Sequence, residues 1–231
     1  MIPKIIYQAW IGEVDPPPKI VSYMKTVVDQ HPEWEYILIK NGDLAGIYKE
    51  LPDNAKRIYD FHMERKEWGL VLDPIRWYLP YKTGGIFMDT DIKVYPGKSF
   101  NELPLEKNLI FVSSYTTSIR FHTCWLAACK GNEFMKHLVN HMGEQSYEIT
   151  RRDVYNSTFM LTEYLLRFYP EKRERLVNGI WSIEPSQLIT FEDEEILNPY
   201  VLTTPTYTDF TIARHNPMSS HTRNKHKYVK K

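Results

Sequence analysis

One α/β domain, a central sheet with helices on both faces, is the fold class this 231-residue chain predicts, on three observations. Strand-length apolar segments alternate with helix-period segments through residues 1–115. At roughly 100–200 residues per domain, the length suits a single large core better than two cramped ones. Finally, the apolar run Gly85-Ile86-Phe87-Met88 stops at Asp89 and Asp91, which puts two acids where a sheet strand ends.

Taken in order, residues 4–10 read as a buried strand, and the prolines at 16, 17 and 18 open a helix over 18–31. Ile20, Met24, Val27, Val28 and His31 form that helix's apolar face. Residues 35–40 form a second strand that ends at the turn signal Asn41-Gly42-Asp43. Helices follow over 54–66 and 73–82, the second started by Asp73 as N-cap with Pro74 at the first helical position. Pro80 is expected to kink or end it. Gly84-Gly85 then feeds the strand 86–89, and 92–95 continues extended. Strands at 109–114 and 122–128 and helices at 132–142 and 157–168 complete the pattern. The sequence after residue 180, with Pro185, Pro199, Pro205 and Pro217, reads as loops.

Composition excludes several classes. Lys+Arg and Asp+Glu both number 29, with a pI near 7.1, which argues against a surface made to coat nucleic acid. The hydrophobic fraction of 42% is that of a soluble globular protein. The aromatic fraction of 14% supplies rings that stack on bases or sugars, although cores use them too. Two cysteines make no disulfide framework, so a reducing, cytoplasmic setting is expected. The first apolar run is too short for a signal-peptide core or a membrane span. Residues 214–231 carry six Lys/Arg and no acid, so 1–213 reads as the domain and 214–231 as a basic tail. Such a tail either stays solvated, folds over an anionic ligand or makes a peripheral contact with a membrane surface.

The chemistry concentrates at Asp89 and Asp91. Two carboxylates at the carboxyl edge of an open α/β sheet suit Mn²⁺ or Mg²⁺, hard ions that complete their shell with water and phosphate. Sixteen residues earlier stands Asp73, followed by Arg76 on the same helical face. The Gly-Gly bend brings the beginning of that helix and the end of the strand into one neighbourhood. His122 and Cys124 alternate on one strand without a third orienting group, which favours core packing over a nucleophile pair.

Ile2-Pro3-Lys4-Ile5-Ile6, Trp10-Ile11-Gly12, Asp73-x-x-Arg76 and Tyr81-Lys82-x-Gly84-Gly85-Ile86-x-x-Asp89-x-Asp91 together resemble the DxD sugar transferases of glycosyltransferase family 32. Leu126-Ala127-Ala128-x-Lys130-Gly131 and Leu161-Thr162-Glu163 continue the pattern more faintly. The resemblance implies a GT-A fold with a mixed central sheet and transfer from a nucleotide sugar, UDP- or GDP-linked, with retention of configuration. The acceptor it implies is a glycan, glycolipid or glycoprotein. Asp89 and Asp91 would hold the metal, Asp73 and Arg76 the donor sugar, and Tyr7, Trp10 and Ile11 the nucleotide, with the Trp10 ring on the base. The segment around His215 and Ser219 corresponds to the family's late metal- or phosphate-binding segment, without its Trp. Tyr7 stands where many members have His, and Leu72 where many have Ser. The alternatives are a non-catalytic sugar-binding relative and an Asp-x-Asp phosphatase. The latter sets its motif on the first strand and usually has Thr or Val where Lys93 stands here.

Overall fold

The computed structural model describes residues 1–113, 121–142, 189–191, 194–197 and 213–215. The expected helix at 157–168, Ser219 and the tail beyond His215 lie outside them. The described elements are β1 (Ile5–Ala9), α1 (Pro18–Gln30), β2 (Glu35–Ile39), α2 (Leu44–Glu50), α3 (Asp53–Glu64), α4 (Trp68–Thr83), β3 (Gly85–Met88) and β4 (Ile92–Val94). They continue with β5 (Leu109–Ser113), β6 (Phe121–Ala128), α5 (Glu133–His141), β7 (Ile189–Phe191), β8 (Glu194–Leu197) and β9 (Ala213–His215). Among the described residues no helix is long and apolar enough to cross a membrane.

Seven of the described strands form a mixed sheet in the order β2-β1-β3-β6-β5-β8-β7. β1 lies parallel to both β2 and β3, whereas β6 runs antiparallel to β3 and to β5. The alternation of β1 divides its side chains between two cores. Tyr7 and Ala9 face the helices α2 to α5, in a core with Trp77, Phe87 and Phe134. Ile6 faces α1 and β4, with Val27, Trp34, Phe100 and Trp125. The two-faced α/β arrangement read from the sequence is therefore the one observed.

Four local expectations need correction. The helix expected to start at Asp73 begins at Trp68, so Asp73 and Pro74 lie in its interior rather than at its cap, and the helix runs past Pro80 to Thr83. Pro74 and Pro80 each remove one intrahelical bond, but burial of Val71, Ile75, Trp77 and Tyr78 outweighs that loss. α2 was hidden because its seven residues include Gly46 and show no sustained apolar period. Val28 is exposed, unlike the other four residues assigned to the face of α1. Finally, the region after residue 180 contains strands: β8 and β7 extend the edge of the sheet, and β9 pairs antiparallel with β4.

Gly84 shows why the helix must stop where it does. It adopts φ 78° and ψ 178°, a region essentially reserved for glycine. A Cβ there would lie 2.7 Å from the Pro3 ring and 2.8 Å from the Lys130 backbone nitrogen. A Cβ on Gly85 would lie 2.7 Å from the Ile5 carbonyl oxygen, so β3 can approach β1 only without side chains at this point.

On the other face, His31 joins α1 to the turn before β5. The Phe100 N–H donates to its Nε2 at 2.8 Å, so the proton sits on Nδ1, which donates to the Val27 carbonyl at 2.7 Å. Burial depresses its pKa below the ordinary 6.5, partly offset by the Val27 bond and Glu33. Burial acts likewise on His62, against the opposing pull of Glu67. Because the folded state favours the neutral rings, this stability is complete above about pH 6.5 and lost as pH falls toward the lowered folded values. His31→Leu is expected to cost about 1–3 kcal/mol at neutral pH, since the buried Phe100 N–H loses its acceptor. It should also lose less stability than the parent between neutral pH and pH 5.5, as measured by urea unfolding at both values. An equal acid loss in parent and variant would show that His31 does not titrate in this way.

Candidate active site at the carboxyl edge of the sheet

β1 and β3 point their carboxyl ends the same way, and the antiparallel β6 begins there. At this edge the guanidinium of Arg76 reaches from α4 to two other elements. Its Nη2 donates to Asp89 Oδ1 at 2.8 Å, and its Nη1 donates to the Thr123 carbonyl at 3.0 Å. Asp73, one turn earlier on α4, lies 3.7 Å from Nη1. The four residues singled out in the sequence are thus close enough to act on one another, because Asp91 also contributes to the field at Arg76. Phe87 precedes Asp89 on the same strand face, and its ring lies under the guanidinium at 5.7 Å.

The bend in β6 makes this possible. Its register with β5 shifts between Phe111, opposite Leu126, and Val112, opposite His122. Thr123, Cys124 and Trp125 are therefore unmatched on β5, a bulge of the kind that re-aims groups beside active sites. The Thr123 carbonyl turns to Arg76, and the Cys124 carbonyl accepts the Asp89 N–H at 2.7 Å.

Burial separates the carboxylates by role. Asp73 is 2% exposed and Arg76 6%, whereas the Asp89 side chain keeps 31% of its surface in solvent. Burial works against the Arg76 charge, yet Asp89, then Asp73, and more weakly Asp91 hold its pKa above the ordinary value. Among the described residues, Arg76 faces Asp73 and Asp89 as ion pairs and Asp91 through its field. Burial, followed by Asp89 and Asp91, pushes the Cys124 thiol well up, so it is a neutral packing group, as its strand position suggested. Among the described residues no group of three or more His, Cys, Asp or Glu could hold a metal ion. The donor set nevertheless suits a hard divalent cation that takes its remaining ligands from water and phosphate.

The other expected residues divide. Trp10 follows β1 and is half-buried, with its Nε1 donating to the Val14 carbonyl at 2.8 Å. Its loop is pinned by Asn41, which exchanges two hydrogen bonds with Gly12. Tyr7 and Ile11 are not brought to the cluster: both are buried in the helix-side core, and the Tyr7 hydroxyl pairs with Thr83 at 2.7 Å. His215 enters by register, opposite Ile92, the residue after Asp91. Gln8 was missed, although a lone amide in the run Ile-Ile-Tyr-Gln-Ala-Trp was its signal. It is fully buried, and its Nε2 donates to the Asp89 carbonyl at 3.0 Å.

Residues 17–110, which hold Asp73, Arg76, Asp89 and Asp91, match the family described as the glycosyltransferase sugar-binding region containing a DXD motif. The inositol phosphoceramide mannosyltransferase 3 of Schizosaccharomyces pombe is 34% identical over 95 residues, a match that covers 39% of this chain and 24% of that protein. The fold is similar to that of the PaToxG glycosyltransferase, with a TM-score of 0.62 at 13% identity over 77% of this chain and 74% of the other. A glycosyltransferase involved in glycosylation of the major capsid of PBCV-1 superposes with a TM-score of 0.52 at 12% identity, covering 97% and 98% of the two chains. The architecture is that of the GT-A-type glycosyltransferases.

Because Arg76 is buried among its partners, truncating it removes the guanidinium that pairs Asp73 and Asp89. Arg76→Met is expected to destabilise the protein by about 3–5 kcal/mol. Adding Asp89→Asn should return part of that loss, a coupling of about 0.5–3 kcal/mol in a urea-unfolding double-mutant cycle. Strict additivity would mean that the two side chains do not share an ion pair in solution.

Proposed function

We propose that this chain, whose residues 17–110 form a DXD-containing glycosyltransferase sugar-binding region, transfers a sugar from a nucleotide-sugar donor to a hydroxyl acceptor, with retention of configuration. The observation that carries the proposal is the Arg76 guanidinium, shared by Asp73 inside the fold and Asp89 at its surface. Asp89 and Asp91 would hold Mn²⁺ or Mg²⁺, which when bound would offset the charge that gathers on a departing nucleotide diphosphate.

The protein's own groups supply orientation. Arg76, fixed at both Nη atoms, would present a planar and permanently charged group to the donor, and Asp73 beside it would accept from sugar hydroxyls. Trp10, tethered by its indole nitrogen, offers a ring face to the base. His215, next to the Asp89–Asp91 turn by register, would add a phosphate or metal contact. The fission-yeast relative is named for mannose transfer to inositol phosphoceramide, which favours a hexose donor, UDP- or GDP-linked, and a glycolipid or other glycan acceptor.

The test is nucleotide release from a panel of UDP- and GDP-hexoses with Mn²⁺. Asp91→Asn, which keeps the Arg76 hydrogen bonds to Asp89 and to the Thr123 carbonyl, is expected to abolish release with only a small change in melting temperature. Asp89→Asn should abolish it as well, at some cost in stability, and Arg76→Lys should lower turnover although charge is kept. Full turnover in Asp91→Asn would remove the cation from the reading. Absence of release with every donor in the parent protein would leave a sugar-binding module.

A further inference from the structure

Asp89 is held at more points than its carboxylate. Its N–H donates to the Cys124 carbonyl, and its own carbonyl accepts from the Ile92 N–H at 3.3 Å, the bond that closes the turn bearing Asp91. That same carbonyl accepts from Gln8 Nε2 at 3.0 Å. A carbonyl can only accept, so the amide nitrogen of Gln8 must face Asp89, and its Oε1 then accepts from the Tyr36 hydroxyl at 2.8 Å. Gln8 is fully buried and both ends of its amide are used. Tyr36 lies on β2 opposite Ile6, two residues before Leu38, the register partner of Gln8, and burial pushes its pKa up to about 12, so it remains a donor.

A buried amide in the middle of an apolar strand costs stability unless it is fully bonded, and by alternation Gln8 shares the strand face of Ile6, whose core is otherwise apolar. What the amide adds is a fixed distance between β1 and the turn at 89–92. We propose that Gln8, aligned by Tyr36, is a positioning residue that sets the Asp89–Asp91 turn in the geometry that binds a divalent cation. The inference rests on the reading of Asp89 and Asp91 as cation ligands. It concerns the layer behind them, where a hydrogen bond to a ligand's own backbone fixes where its carboxylate stands.

The experiment is Mn²⁺ binding to the full chain, alone and with UDP, followed by the electron paramagnetic resonance signal of the free ion. Melting temperature and donor kinetics are measured alongside in the parent, Gln8→Leu and Tyr36→Phe. Gln8→Leu is expected to weaken Mn²⁺ binding by roughly tenfold or more. Tyr36→Phe should weaken it less and in the same direction, because Gln8 keeps its bond to Asp89 but loses the partner that orients it. In both, excess Mn²⁺ should restore much of the turnover, which a merely structural lesion would not allow. Folded variants with the parent's Mn²⁺ affinity would overturn the role of Gln8 while leaving the proposed transferase intact. A parent that binds no Mn²⁺ even with UDP would overturn the cation reading and this inference together. If Gln8→Leu fails to fold, Tyr36→Phe decides: unchanged Mn²⁺ affinity in that variant overturns the role.

Discussion

The buried guanidinium of Arg76 is the constraint on which the rest of the edge depends. A charge removed from water costs several kcal/mol unless partners replace the lost hydration, and no single element of this chain can provide them all. Asp73 comes from the same helix, Asp89 from the end of β3 and the Thr123 carbonyl from the bulge in β6. Satisfying Arg76 therefore fixes α4 against the sheet and aligns two antiparallel strands at the same level. The glycines at 84 and 85 serve the same end, since they let the chain leave α4 and enter β3 within a single step and in contact with β1.

Around that charge, polar groups are buried in pairs of bonds. Gln8 spans Tyr36 and Asp89, and His31 spans Val27 and Phe100. Each links segments distant in sequence, and each would be costly with only one bond made. The apolar cores on the two faces supply most of the driving force for folding, but they tolerate small slippage. Directional bonds of this kind set the relative height of β1, β2 and β3, and so the positions of the acids at their ends.

The small sheet of β4 and β9 extends this logic to the far end of the chain. By pairing Ala213 to His215 with Val94 to Ile92, it brings a segment more than a hundred residues away beside the Asp89–Asp91 turn. The edge built this way draws residues from the first strand, the central helix, the third strand and a late strand, and forms only when all have assembled. Such dependence on long-range pairing is a reason for function and stability to be coupled at this edge.

Much of this was legible in the sequence because it rests on local chemistry. Alternating apolar periods located β1 to β3, α1, α3 and α5, the Gly-Gly step announced the entry to β3, and the spacing from Asp73 to Asp89 identified the acids and Arg76. Where the sequence misled, a local rule lost to packing. Asp73-Pro74 has the form of a helix start, yet the helix begins five residues earlier because burial of its apolar residues outweighs the proline penalty. Composition and period could not reveal the β6 bulge, the pairing of β9 with β4 or the reach of Gln8 to Asp89, for these are distances between segments far apart in the chain. Residue types and their local order determined which chemistry the protein carries; tertiary packing alone decided which of those residues meet, because only there are buried charges and amides required to find their partners.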